Sequence, residues 1–259
     1  MRTLWNSFKI AFSMYSKIPV PQSDWTKDNM KYAMIFFPWI GIVIGLLFWG
    51  WFQLSGVLSR HNMELSHEFV TIVFVLLPVV ITGGIHLDGL LDTADARSSW
   101  QKQERRLEIL KDSHAGAFAI ITCTVYFLFY YAVCSMIGAE NITLIGLGFV
   151  LSRTLSALAI VTFPMAKGSG LAASFSCSAD KKRVRITMFF YLIILTALYL
   201  RFGKIHGIIC MAAAGLMFLY YYRMSKKLFG GITGDLAGYF LQMCELVTAL
   251  AAVLSVKIL

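Results

Sequence analysis

Acidic side chains are scarce in this chain: its 259 residues include only 14 Asp and Glu, against 23 Lys and Arg. Charged residues of both signs make up 14% of the sequence, where a soluble domain has about a quarter. So few charges do not make a water-facing surface for a chain that is 58% hydrophobic, with a mean hydropathy of +0.70. The surplus apolar surface belongs in lipid. The five cysteines (Cys123, Cys134, Cys177, Cys210, Cys244) have no CxxC spacing, and four lie in apolar runs. Neither a disulfide framework nor a zinc site is expected from them. The first 25 residues lack both the continuous apolar core and the small-residue cleavage site of a signal peptide. The net charge of +9 has a membrane explanation, because such proteins concentrate Lys and Arg in cytoplasmic loops, so nucleic acid is not an expected partner.

What the chain does have is apolar length. Seven runs are long enough to be spans: Ala33–Val57, Phe69–Leu87, Ala117–Gly138, Ile142–Phe163, Val184–Leu200, Ile205–Tyr222 and Leu236–Val256. The expected fold is therefore all-α, a polytopic transmembrane bundle of about seven spans in a single domain. Pro78 and Gly83-Gly84 predict a kink or an unwound end in the second span. Before the first, Leu4, Trp5, Phe8, Ile10, Ala11, Phe12 and Tyr15 recur at helical spacing, predicting an interfacial helix that ends before Pro19. "QERRLEIL" predicts an amphipathic cytoplasmic helix. Lys and Arg in alternate inter-span segments number eighteen on one side and four on the other. The positive-inside rule then puts the N-terminus in the cytoplasm, together with segments 86–116, 164–183 and 223–235.

The chemistry is concentrated in those segments. Asp88, Asp92 and Asp95 stand at i, i+4 and i+7, which places them on one helix face within about two turns. Carboxylates so spaced repel one another unless they share a cation, and magnesium takes a few carboxylates plus phosphate oxygens and water. The bland alternative is a solvated face balanced by Arg97 and Lys102, for which Glu would suit the helix better. His86, two residues before Asp88, faces away from the ladder on a simple helix; it is a phosphate contact, a proton carrier or a plain interfacial histidine. Lys111, Asp112, Ser113 and His114 sit where the chain returns to the membrane, as a phosphate clamp with a proton-transfer group, or as a helix cap. Arg153 and Glu245 are ionisable groups inside spans, expected to face inward, either paired or lining a polar cavity. Gly168 and Gly170 in "KGSGLAASF", and Gly231 and Gly234 before Asp235 at the start of the last span, allow close backbone approach to a ligand. Asp235 is either part of that site or an N-cap.

Taken together, "GGIHLDGLLDTADA", "LEILKDSHAGAF", "LSRTLSAL", "KGSGLAASF" and "GGITGDLAG" with Cys244-Glu245 resemble the cobalamin synthase family, the adenosylcobinamide-GDP ribazoletransferases. One departure is Asp95-Ala96, where many members read Asp-Gly. The resemblance implies a magnesium-dependent enzyme of the bacterial cytoplasmic membrane that performs the final joining step of adenosylcobalamin assembly. Adenosylcobinamide-GDP would react with α-ribazole, or its 5′-phosphate, to release GMP. On this reading Asp88, Asp92 and Asp95 hold magnesium, and Asp112, His114 or His86 takes the proton. Lys111, Ser113, Arg153, Gly168, Gly170, Gly231, Gly234, Asp235 and Glu245 meet substrate. The bilayer is the expected surrounding, and oligomer formation stays open. Two rivals remain. A CDP-alcohol phosphotransferase needs DGxxAR followed by GxxxDxxxD, from which "DGLLDTADAR" departs. A transporter would use Arg153 and Glu245 near the midplane, but no internal repeat is evident.

Overall fold

The structure is a computed structural model that describes residues 2–112 and 114–258. Among these the regular structure is helical, and the sole β-type pairing is an isolated bridge between Met165 and Ile232. The helices are α1 Arg2–Tyr15, α2 Lys27–Met30, α3 Ala33–Arg60, α4 His67–Thr82, α5 Ile85–Ser98, α6 Gln103–Ile109, α7 Ala117–Cys134, α8 Ile142–Thr162, α9 Leu171–Ser178, α10 Lys181–Phe229 and α11 Gly234–Ile258.

Five of them (α3, α7, α8, α10 and α11) are long and apolar enough to cross a membrane, and the bent pair α4–α5 would make a sixth. Leu46, Ile120, Leu128, Ile193 and Leu216 lie more than half exposed on the outside, as helices solvated by lipid require. The protein is an all-α membrane bundle.

α8 is its axis. Every residue from Leu151 to Val161 is buried. α3 lies close against it because two glycines remove the side chains that would hold the helices apart. A Cβ at Gly41 would collide with the Phe149 backbone, and one at Gly45 would come within 2.7 Å of the Gly146 carbonyl oxygen. Close packing of this kind is how helices associate where lipid supplies no hydrophobic drive.

The predicted interruption of the second span is a full break. Gly83 (φ 65°) and Gly84 (φ 77°) both take left-handed backbone, and α5 leaves α4 at 95°. Only glycine enters that region without strain. α5 therefore turns across the end of the bundle rather than extending the span, and it stays helical through Ala96 to Ser98.

α10 corresponds to two of the predicted runs. Its 49 residues contain one non-helical position, Lys204 (φ 47°, ψ −119°), and a Cβ at Gly207 would collide with the Tyr199 carbonyl. Residues eight apart touch only if the chain reverses, so α10 is a helical hairpin with arms 181–203 and 205–229. Its second arm ends at Gly230 (φ 76°), where the Gly230 and Gly231 N–H groups donate to the Lys226 and Ser225 carbonyls. That pairing satisfies carbonyls the helix end leaves open.

The amphipathic helix forms where "QERRLEIL" predicts it, as α6, whereas "KGSGLAASF" contains a helix, α9, that no periodicity announced.

Candidate active site

The ends of α4, α8 and the second arm of α10, and the starts of α7 and α11, meet α5 and α6 at one end of the bundle. Glycine again sets the geometry. A Cβ at Gly89 would come within 2.6 Å of the Asp235 carbonyl oxygen, and one at Gly238 within 2.9 Å of the His86 carbonyl oxygen. α5 thus lies with its backbone against the first turns of α11, which brings Asp235 beside the aspartate ladder. The Met165–Ile232 bridge holds the chain between α10 and α11: Ile232 N–H donates to the Pro164 carbonyl at 2.8 Å, and Ala166 N–H to Ile232 at 3.0 Å. Gly231 is needed there because a Cβ would run into the Pro164 carbonyl at 2.5 Å. Its N–H serves the helix end instead of a ligand.

A cavity of about 380 Å³ opens at this junction. Its charged lining consists of Asp88, Asp235, Lys111 and Lys167, joined by Thr233. Thr233 caps α11, its hydroxyl accepting from Leu236 N–H at 3.2 Å and donating to the Asp235 carboxylate at 3.3 Å. Lys167 donates to the Leu107 carbonyl of α6 at 2.7 Å. Burial, and then the neighbouring Lys111 ammonium, lower its pKa below the usual lysine value. Two ammonium groups side by side suit a ligand carrying several negative charges.

The ladder does not act as one unit. Asp88 faces the cavity. Asp92 is half-buried beside it, and burial followed by the charges of Asp88, Asp235 and Asp95 push its carboxyl up to about 7. Asp95 turns to α7 instead: its two oxygens accept the N–H groups of Gly116 at 2.6 Å and Ala119 at 2.8 Å. It thereby satisfies donors that a helix start leaves open. Among the described residues no three His, Cys, Asp or Glu side chains form a ready-made metal cage.

The other predicted groups divide. His86 lines the cavity, and α5 is helical through both His86 and Asp88, so the cavity wraps round the first turn of that helix. Lys111, Gly170 and Gly234 also line it. Gly170 has φ 97°, so glycine is required at the start of α9. Gly168 has open space around it and is not part of the wall. Asp112 and His114 lie on the exposed loop before α7 and bind each other, with His114 Nδ1 at 2.8 Å and its backbone N–H at 3.0 Å from Asp112 Oδ1. Those contacts lower the Asp112 pKa, the backbone N–H contributing most. Ser113 lies outside the described residues. Arg153 and Glu245 do not reach the cavity wall; they pair with each other in the bundle interior at 2.6 Å. Sequence reasoning passed over Lys167, counted only as a loop charge, and the Tyr15 and Phe37 rings of the cavity wall.

The comparisons agree with the motif resemblance. The family model described as cobalamin-5-phosphate synthase matches residues 7–253. A relative in Lachnoclostridium phytofermentans, named adenosylcobinamide-GDP ribazoletransferase, is 47% identical over 250 residues, covering 96% of this chain and 94% of its own. Proteins of the same name in Clostridium perfringens (32% over 247 residues, 95% of this chain and 96% of the relative) and Desulfitobacterium hafniense (32% over 259 residues, 97% and 96%) are similar along their full length. No solved structure matches. These matches favour neither a CDP-alcohol phosphotransferase nor a transporter. The chain belongs to the cobalamin-5-phosphate synthase family and is a membrane transferase of cobalamin biosynthesis.

Proposed function

We propose that the cavity joins adenosylcobinamide-GDP to α-ribazole, or to its 5′-phosphate, with release of GMP. The observation that carries this reading is the meeting of Asp88 and Asp235 with Lys111 and Lys167 around one cavity at a membrane bundle's end, with Asp92 beside it. In the transfer, the oxygen of a ribose ring hydroxyl of the acceptor, free whether or not the 5′-position carries phosphate, bonds to the cobinamide-side phosphorus. The bridging P–O bond breaks with its electrons on GMP, and the hydroxyl proton leaves through a cavity carboxylate to water. Lys111 and Lys167 hold the diphosphate oxygens and orient it for in-line attack. Thr233 fixes the Asp235 rotamer, and Asp95 anchors the start of α7 beside the reacting groups.

The donor set suits magnesium, which takes one or two carboxylates and completes its shell with water and phosphate. Burial raises the Asp92 carboxyl most and the charges of Asp88, Asp235 and Asp95 add to it, so a cation there would relieve their repulsion. Asp88, Asp92 and Asp235 would hold the ion, while Asp95 is committed to α7. Bound magnesium supplies positive charge against that developing on the leaving phosphate.

The charge bias of eighteen to four supports a cavity that opens to the cytoplasm of a bacterial inner membrane, with seven spans once the arms of α10 are counted separately. Purified protein in detergent should release GMP from adenosylcobinamide-GDP and magnesium only when α-ribazole is added. Absence of release under those conditions overturns the reading.

A further inference from the structure

Besides its charged groups, the cavity has an aromatic wall that the transfer chemistry does not use. Tyr15 of α1, Phe37 of α3 and His86 of α5 all line it. Their rings form one cluster: Tyr15 to Phe37 is 4.4 Å between centroids, Tyr15 to His86 is 5.9 Å and stacked, and Phe37 to His86 is 5.8 Å edge-on. His86 is 4% exposed, yet its Nε2 has no hydrogen-bond partner among the described residues. A buried polar nitrogen left unpaired is uncommon and calls for a partner.

We infer that this wall is the subsite for the flat heteroaromatic base of the acceptor nucleoside, with His86 Nε2 meeting the base's free ring nitrogen. The inference rests on the proposed reaction and adds which part of which substrate the wall selects. Size and polarity support it. A cavity of about 380 Å³ lies at the small end for ligand sites, with room for a nucleoside but not for a corrin ring, which must remain outside. The wall is otherwise apolar, with Met34, Ile160 and Leu241 close by. Its polar side chains are Tyr15, His86 and Ser156. A benzimidazole presents a single unsubstituted ring nitrogen and two apolar faces, which those groups satisfy. Guanine presents N1–H, an amino group, O6 and N7, and would leave most of them unpaired, at a large cost in affinity. Stacking on aromatic rings tolerates the bulk of a fused base.

The test measures KM for each substrate separately, together with calorimetric binding of α-ribazole alone to the detergent-purified protein. Tyr15→Leu and Phe37→Leu should each raise KM for α-ribazole about tenfold and leave KM for adenosylcobinamide-GDP unchanged. The unchanged KM for adenosylcobinamide-GDP in the same leucine variants shows that the loss is not misfolding. The α-riboside of indole, which lacks the free nitrogen, should be a poorer acceptor for wild type by about tenfold and an equal one for His86→Phe. An unchanged KM for α-ribazole in both leucine variants, or a rise in KM for adenosylcobinamide-GDP instead, overturns the assignment. If wild type binds α-ribazole in a Tyr15-dependent way but releases no GMP, the reaction falls and the subsite stands; if it does not bind α-ribazole, the subsite falls.

Discussion

Arg153 of α8 donates to Glu245 of α11 at 2.6 Å, with 1% and 4% of the two side chains exposed. Ser152 Oγ donates to the same Glu245 oxygen at 3.1 Å, and Arg153 reaches the Phe149 carbonyl at 2.9 Å. An arginine inside a span is costly unless paired, and here its partner is the acid of the last span. The pair ties the central helix to the helix that carries Asp235. Glu245→Ala should therefore destabilise the bundle by about 3–5 kcal/mol, because it strands a buried charge. Arg153→Met with Glu245→Leu should recover much of that loss. Thermal melts of the three detergent-solubilised proteins check both outcomes.

The aspartates of α5 should separate by phenotype. Asp95 binds backbone N–H groups of α7, so Asp95→Ala should lower stability by about 0.5–2 kcal/mol, as the loss of a helix cap does. Asp88→Asn faces the cavity and should lower turnover with little change in melting temperature. Melting temperature and initial rate measured on the same preparations check this division.

Glycine at the α5–α11 crossing should resist the smallest substitution. Gly89→Ala and Gly238→Ala each put a methyl group against backbone, at 2.6 Å from the Asp235 carbonyl oxygen and 2.9 Å from the His86 carbonyl oxygen. Neither backbone can move aside as a flexible side chain would. Each variant should lose turnover, through displacement of Asp235 from Asp88, by more than Gly56→Ala, where no atom lies within 4 Å. Parallel rate measurements on the three variants decide it.

Magnesium should stabilise the protein most at high pH. The Asp92 carboxyl is raised from 3.8 to about 7, so the folded state favours its protonated form. Its contribution to stability is then fully present below about 3.8 and is lost as pH rises through about 7. A bound cation offsets both the burial of the charge and the repulsion from Asp88, Asp235 and Asp95 that cause this loss. The rise in melting temperature on adding magnesium to chelator-treated protein should be larger at pH 8 than at pH 5. Equal rises at both would contradict it.

The spans were readable because apolar length is a local property, and the break at Gly83-Gly84 and the split within α10 both show as interruptions of apolar runs. The aspartate ladder was readable as one helix face, but spacing along a helix does not say which neighbours compete for each carboxylate. Asp95 is taken by N–H groups that lie 21 and 24 residues further along the chain. The same limit applies to the glycines. Gly231 reads as a phosphate loop, but the structure uses it for close approach to the Pro164 backbone. Lys167 and Tyr15 reach the cavity through tertiary packing, and nothing in their own segments distinguishes them from a loop charge and an interfacial aromatic.

The most direct test of the central claim is the magnesium dependence of GMP release by Asp92→Asn. A carboxylate that helps hold the ion for diphosphate transfer predicts turnover reduced about a hundredfold or more, with a higher magnesium requirement. Near wild-type turnover with unchanged magnesium dependence would contradict the account.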